Sequence, residues 1–338
     1  MKRSGMNNNK AFSSLEFIVT LFFLSLILIA LGIFLRVSDL TISKRTQNKT
    51  DKEKIDTVLN SIFEEIKKDY TPNVDSKMDP IWKFNDNNVD GFDISIKSLS
   101  GLINLNYVPK EIVVNTILIS AFDAPESIDK IKAKIEENGM INSYEEISDL
   151  ISEEKFNENF TLYGYSNFNV TDEIPLAFIG NNMTNSYFGD ELINKRKTLK
   201  HNKQCIQNQT EFNMLCGIHF DEIYPYININ PTLNVNFMNE ELLKSFLTFP
   251  QFKLSNAIQK ANTIISLRDT KEITQEELIS ILGIHKNNDL YYYIGSKTWF
   301  WQITIKGKNT SCNVILAREP EEGTLGEPKF YLIEKRWI

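Results

Sequence analysis

The feature that most constrains this chain is an apolar run near its start. Residues 17–35 read FIVTLFFLSLILIALGIFL and carry no charged side chain. As a helix at ~1.5 Å per residue, the run is about 28 Å long, close to the thickness of a hydrocarbon core. It is longer than the apolar part of a secretory signal peptide, and no small-residue cleavage site follows it. Because Lys2, Arg3 and Lys10 precede it without an acid, we expect an anchor with a cytoplasmic N-terminus.

The rest of the composition is that of a soluble globular protein. The chain has 338 residues, of which 24% are charged, and its net charge is −7. This length allows about two domains, and the negative charge argues against a protein that binds nucleic acid by neutralising phosphates. Only three Cys and three His occur, which argues against a Cys/His zinc module.

One carboxylate lies directly against the apolar run. Glu16 ends the string KAFSSLE, residues 10–16, at a place where an ionisable group is costly in lipid. This string resembles the processing site of type IV prepilins and type II secretion pseudopilins. The resemblance implies peptidase cleavage between Ala11 and Phe12, N-methylation of Phe12, and pairing of Glu16 with the new α-amine of a neighbouring subunit. Ala11 stands where that family usually has Gly, and the alternative is a chance Glu at the edge of a plain anchor.

The segment after the anchor predicts an amphipathic helix. Its apolar positions have helical spacing and are separated by charged residues; they are Ile55, Val58, Leu59, Ile62, Phe63 and Ile66. No Gly or Pro interrupts residues 33–71, so anchor and amphipathic segment can form one helix of over fifty residues that stops near Pro72.

Alternating residues at the end of the chain predict a sheet. Residues 299–305, 313–318 and 329–334 alternate between apolar and polar side chains and are joined by short turns. We expect an antiparallel meander, with Trp299 and Trp301 in its core rather than on a carbohydrate platform. A short β region is expected at 81–96.

Between these parts, two similar helical segments are expected. Residues 101–165 and 226–290 each open with an Asn-containing string, INLN and ININ, and continue with helix candidates. Ser143 with Glu146 and Thr274 with Glu277 have the spacing of capping boxes. This order of elements predicts two helix-hairpin-helix-like units. The acidic residues around their capping segments argue against binding of nucleic-acid phosphates. Residues 165–225 are Asn-rich and are expected to be irregular.

The cysteines and histidines do not form the pattern of a catalytic or metal site. Outside the cytoplasm, Cys205 and Cys216 could bridge a loop, and two unpaired thiols are the alternative. Cys312 lies in a strand candidate and is expected in the core. The residues around His219 are the closest approach to an acid–base cluster, and no nucleophile or phosphate-loop motif occurs. We expect no enzyme.

Taken in order, these features resemble the K-type minor pseudopilin of type II secretion, general secretion pathway protein K. The resemblance implies an α+β fold in which a long N-terminal helix packs on a small antiparallel sheet, with an inserted helical domain of two helix-hairpin-helix (SAM-like) units. The expected divisions are a leader at 1–11, the helix at 12–70, the first part of the head at 71–100, the insert at 101–290 and the sheet at 291–338.

The resemblance also implies partners and a location. These are other minor and major pseudopilins, the prepilin peptidase and the inner-membrane secretion platform, with the head in the periplasm at or near the tip of a pseudopilus. Family members bind calcium in the helical domain, but residues 128–138 read IDKIKAKIEEN, and their lysines predict no cofactor or metal here. Alternatives are a minor pilin of a type IV pilus or DNA-uptake filament, or an anchored module that binds nucleic acid.

Overall fold

The structure is a computed structural model of the chain. It describes these residues: 19, 20, 22, 24, 31, 33, 34, 36, 49–68, 71, 73–85, 87–308, 310–320 and 329–337. Within that part of the chain, no helix is both long and apolar enough to cross a bilayer. Most of the predicted anchor at 17–35 lies outside the described residues; its described positions are helical, and their side chains are exposed.

Helices make up most of the described chain. The first, α1, spans 49–67. The following α-helices are α2 (Lys110–Val114), α3 (Ser127–Asn138), α4 (Glu153–Asn159), α5 (Glu173–Thr184), α6 (Phe188–His201), α7 (Gln209–Cys216), α8 (Phe220–Ile223), α9 (Glu240–Leu247), α10 (Ala257–Arg268), α11 (Gln275–Leu282) and α12 (Leu290–Tyr293). Short 3₁₀ helices lie at Pro80–Phe84, Leu99–Gly101, Ile117–Ala121, Tyr144–Ile147, Gly217–His219 and Pro250–Phe252.

The strands form one antiparallel sheet and three small parallel pairs. They are β1 (Asn88–Val89), β2 (Phe92–Ser98), β3 (Ile103–Asn104), β4 (Phe160–Thr161), β5 (Ser166–Asn167), β6 (Ile227–Asn228), β7 (Leu233–Asn234), β8 (Ile294–Gly295), β9 (Phe300–Lys306), β10 (Ser311–Arg318) and β11 (Phe330–Trp337). The sheet has the order β1-β2-β9-β10-β11. Its last three strands are the predicted meander, in which Val314 lies opposite Ile303 and Lys335.

Helix α1 packs on one face of this sheet. Its predicted apolar face is confirmed, because Ile55, Val58, Leu59, Ile62 and Ile66 are buried. They share one core with Trp301, Cys312 and other inward residues of β2, β9 and β10. Burial of such side chains is worth about 1.5–3 kcal/mol each, so this face holds the helix on the sheet. The helix-on-sheet part of the expected α+β fold is confirmed.

The helical insert leaves the sheet after Ser98 and returns at Phe300. It contains three units, each closed by a two-residue parallel strand pair: β3 with β4, β5 with β6, and β7 with β8. We call 103–161, 166–228 and 233–295 units 1, 2 and 3. Units 1 and 3 share one hydrophobic core, and unit 2 has its own, built around Phe168, Leu176 and Phe212.

Two expectations about the insert are corrected. Residues 165–225 are not irregular, because they form most of unit 2 with helices α5 to α8. The last unit opens at Leu233 rather than at Tyr226, because Ile227 and Asn228 form the closing strand of unit 2. The helix-hairpin-helix character expected of the units is not confirmed.

Candidate functional site: the junction of helix, sheet and insert

Each unit of the insert opens with the same Asn-x-Asn turn. Asn104, Asn167 and Asn234 lie at the end of the opening strand, and the side-chain oxygen of each accepts a bond from the backbone N–H two residues later, at 3.0, 2.9 and 3.0 Å. The backbone N–H between them bonds to the closing strand: Leu105, Phe168 and Val235 donate to residues 161, 228 and 295. An Asn side chain can accept the bond of a nearby backbone N–H, so that this group needs no backbone partner. These residues therefore hold the turn that begins each unit.

The second Asn of each turn reaches across its unit. Asn106, Asn169 and Asn236 exchange side-chain bonds with both backbone groups of a later isoleucine, which is Ile141, Ile206 or Ile273. A helix cap follows each isoleucine, and it includes the predicted capping boxes at Ser143 and Thr274. In unit 2 the cap is Asn208, which accepts from the N–H of Glu211 at 2.9 Å.

A buried cation completes each turn. Lys132, Arg196 and Arg268 donate to carbonyl groups of the opening loops of units 1, 2 and 3. Burial lowers the pKa of all three side chains, since removal from water disfavours the charged form. The carbonyls offset part of this cost, so the cations hold the loops in place.

The three structural parts of the chain meet at Asp75. This residue follows α1, and its carboxylate pairs with Arg318 at the end of β10 through two bonds of 2.9 Å. The same carboxylate accepts the backbone N–H of Thr298 at 2.7 Å. The backbone carbonyl of Asp75 accepts from Asn234 and Asn236, the two turn residues of unit 3. One residue therefore ties the end of the helix to the sheet and to the insert.

The ion pair at this junction is removed from water. Asp75 is 4% exposed and Arg318 is 1% exposed. The Arg318 guanidinium lies over the rings of Trp301 and Phe330, at 5.1 and 5.6 Å from their centroids. Planar stacking and a bidentate carboxylate suit Arg better than Lys. The chemistry of the junction is therefore structural: buried polar bonds connect the insert to the head.

A cavity of about 750 Å³ lies beside the junction. Tyr163, Tyr165 and Phe300 line it together with Tyr331 and Ile333 on the edge strand β11. The hydroxyl of Tyr165 donates to the Arg318 carbonyl at 2.6 Å. The aromatic residues thus join unit 1 and unit 2 to the face of the sheet that α1 leaves open.

The site residues predicted from the sequence lie apart from this junction. Ala11, Phe12 and Glu16 are outside the described residues. Cys205 and Cys216 are free thiols in the structure. Cys205 accepts from the hydroxyl of Tyr292 at 2.6 Å, whereas Cys216 is 3% exposed in the core of unit 2. Of the two states that the sequence leaves open, the structure has the unpaired thiols.

Two other expectations concern metals and acid–base chemistry. On α3, where the resemblance implies calcium, Asp129 pairs with Lys110, and Lys132 and Lys134 point their ammonium groups at carbonyls. These residues do not fit a calcium ion. His219 pairs with Glu222 at 2.8 Å on a half-buried surface against the ring of Phe188, an arrangement that explains the cluster by packing.

Sequence reasoning missed Asp75 and Arg318. They are 243 positions apart, and neither belongs to a motif. The Asn-x-Asn turns had a weak signal, because the pattern occurs not only at the openings but also elsewhere: it is found at 7–9, 85–87, 104–106, 157–159, 167–169, 228–230 and 234–236. An isoleucine follows the second Asn of each opening by 35 to 37 positions, but Ile265 has the same spacing from Asn230, so this spacing alone does not mark the openings.

Comparison with known proteins finds a likeness among solved structures. No family model matches the chain, and no curated protein matches it. Among solved structures, a chain of the GspK-GspI-GspJ complex from the type 2 secretion system of enterotoxigenic Escherichia coli is similar, with 9% identity and a TM-score of 0.38. The match covers 87% of this chain and 99% of that chain.

Proposed function

We propose that this chain is a minor pseudopilin of a type II secretion system. The observation that carries the proposal is the string at residues 10–16, with Glu16 directly before a nineteen-residue apolar run. The packing of α1 on an antiparallel sheet supports it, since the apolar run is then followed along the chain by a helix that is held on a folded head. A tethered enzyme would more often have a flexible linker at this point.

The proposed mechanism is assembly rather than catalysis. After removal of residues 1–11 by the prepilin peptidase, apolar helices of several subunits associate in the inner membrane. Glu16 then meets the N-terminal amine of a neighbouring subunit's Phe12, because a carboxylate in an apolar surrounding needs a cationic partner. Other pseudopilins and the inner-membrane platform are the partners, and the head lies in the periplasm.

The insert favours a position at or near the tip of the filament. It extends the head by the whole stretch between β2 and β9, and Asp75 binds it through Asn234, Asn236 and the backbone of Thr298. A bulky, rigid head limits the addition of further subunits on one side. The proposed role is therefore to initiate or cap a short pseudopilus.

Intact mass of the membrane-extracted protein tests the proposal. We expect the loss of residues 1–11 and the gain of one methyl group on Phe12 when the prepilin peptidase is present. Ala11→Gly should be processed at least as fast, and a bulky Ala11→Leu should remain unprocessed. An unchanged mass in cells with an active peptidase would contradict the proposal.

Glu16→Ala tests the assembly step separately. We expect processing to continue while secretion and co-purification with other pseudopilins are lost. Glu53→Ala is the matched control, because Glu53 is an exposed acid on α1 whose lysine contact is long, at 3.9 Å. Equal secretion by the two variants would argue against a role for Glu16 in assembly.

A further inference from the structure

A cavity with cationic walls lies between units 2 and 3. It has a volume of about 330 Å³ and is bordered by the end of α6 and by the loop before α12. Lys203, Cys205 and Lys286 separate it from a wider groove of about 840 Å³. The cavity and the groove share these lining side chains.

The charges in this cavity are unbalanced. Arg196, Lys200, Lys203 and Lys286 line it, with Asp289 as the acid among its described lining residues. Lys200 lies 3.7 Å from Asp289. Lys286 donates to the neutral amide of Gln207 at 3.3 Å, and no carboxylate among the described residues lies within 4 Å of Lys203. A local excess of positive charge on a chain of net charge −7 attracts anions.

One acid, Glu211, lines the wider groove, and the groups that bond to it are neutral. Both oxygens of Glu211 accept bonds from the helix cap, from the backbone N–H of Gln207 at 2.8 Å and from the amide of Asn208 at 3.0 Å. Arg196 is also engaged, through the carbonyls of unit 2. Among the described lining residues, the ammonium groups without a carboxylate partner are therefore those of Lys203 and Lys286.

Backbone N–H groups at the end of α6 offer few hydrogen-bond donors to a ligand in this cavity. The N–H groups of Asn202, Lys203 and Gln204 bond to the last carbonyls of α6. These bonds also cover the negative end of the helix dipole, which would otherwise oppose an anion. A ligand would meet the lysine ammonium groups together with the side-chain amides of Gln204 and Asn287.

We infer that this cavity binds a compact polyanion that presents phosphate or carboxylate oxygens. Lysine ammonium groups act as point charges and bind either group. The volume falls in the range of small-molecule sites. A long polyanion is disfavoured, because the chain as a whole is acidic. This site is independent of the proposed assembly role, since it shares no residue with Glu16 or Asp75.

Calorimetric titration of the full chain in a neutral detergent tests the inference, with inorganic pyrophosphate and citrate as probes. We expect saturable binding that weakens as salt increases. Pyrophosphate binding alone would identify a phosphate ligand, and citrate binding alone a carboxylate ligand. Binding of both would mean selection by charge, and binding of neither would overturn the inference.

Matched lysine variants locate the site. Lys203→Ala and Lys286→Ala should each weaken binding about tenfold, the loss of one charge-assisted hydrogen bond, and Lys203→Arg should keep most of the affinity. Lys253→Ala is the control, because Lys253 is also exposed and has a similar left-handed backbone, with φ of 50° against 55° for Lys203. Equal affinities of Lys203→Ala and Lys253→Ala would overturn the inference.

The thiol of Cys205 provides a second readout. It lies between the cavity and the groove, so a bound anion should slow its reaction with a bulky thiol reagent severalfold. The protection should disappear in Lys203→Ala. Unchanged labelling at saturating pyrophosphate and citrate would contradict binding at this place.

Discussion

At the scale of single residues, buried asparagine side chains make the hydrogen bonds that link the loops of the insert. Asn167 and Asn234 are fully buried, yet each side chain uses both its oxygen and its amide in hydrogen bonds. Alanine or leucine would leave backbone groups unpaired, and a carboxylate would lose the donor. Asn therefore recurs at these positions because one side chain can supply both the acceptor and the donor that the backbone groups of a buried turn need.

Asn167→Ala should destabilise the protein by about 1–3 kcal/mol, because it leaves the N–H of Asn169 and the carbonyl of Ile229 unsatisfied. Denaturant unfolding checks this. Asn213→Ala is the control: Asn213 is exposed on α7, and its loss should change the stability by no more than about 0.5 kcal/mol. Equal effects would mean that the turn bonds carry no net stability.

The three thiols should differ in reactivity. Burial raises the pKa of Cys216 to about 12 and also raises the pKa of Cys312, so at pH 8 only about 10⁻⁴ of Cys216 is thiolate. We expect a thiol reagent to modify Cys205, which is half-buried, and to leave the other two until the protein unfolds. Peptide mass spectrometry at pH 7 and 9 checks this. Resistance of Cys205 together with Cys216 after unfolding without a reductant would instead show a disulfide between them.

At the scale of elements, the sequence predicted those helices, caps and strands that depend on interactions between residues close together in the chain. The apolar spacing of α1, both capping boxes and the three C-terminal strands follow from neighbouring residues alone. Unit 2 was missed because its cap uses Asn208 instead of Ser or Thr. Its opening string, SNFN, also follows a stretch without clear periodicity. Its parallel strands are only two residues long, and such pairs form only once the helices between them have packed.

Within unit 2, α5 and α6 approach closely at two glycines. A Cβ on Gly180 would lie 2.3 Å from the Cα of Gly189, so Gly180→Ala must push the helices apart. We expect a loss of about 1–3 kcal/mol from overpacking, despite the better helix propensity of Ala. Thermal unfolding checks this.

Asn182→Ala is the control for this pair of helices, because Asn182 is exposed on the same helix, α5. Its effect should stay within about 0.5 kcal/mol of wild type. A neutral or stabilising Gly180→Ala would mean that α5 and α6 do not pack as a pair.

At the scale of the whole molecule, the head and the insert are built on separate cores. The core under α1 contains only head residues, and that of units 1 and 3 only insert residues. Asp75 and Arg318 connect them through polar groups, and Tyr165, Trp299 and Phe300 connect them through a smaller apolar cluster. No local sequence pattern predicts such a pair, since it depends on how two folded parts meet.

The junction pair gives the sharpest test of this architecture. Asp75→Ala leaves the Arg318 guanidinium buried without its carboxylate, which typically costs about 3–5 kcal/mol. Asp56→Ala removes a partner of Lys335 that is about half exposed, and such surface pairs contribute about 0–1 kcal/mol. Urea unfolding of both variants should therefore show a large loss in the free energy of unfolding for Asp75→Ala and a small loss for Asp56→Ala.

Replacing both partners, in Asp75→Val with Arg318→Met, should recover part of the lost stability, because no unpaired charge then remains buried. If Asp75→Ala were no less stable than Asp56→Ala, the ion pair would add no net stability to the junction, which would then depend on the bonds from Asn234 and Asn236 to the carbonyl of residue 75 and on the apolar cluster around Trp299.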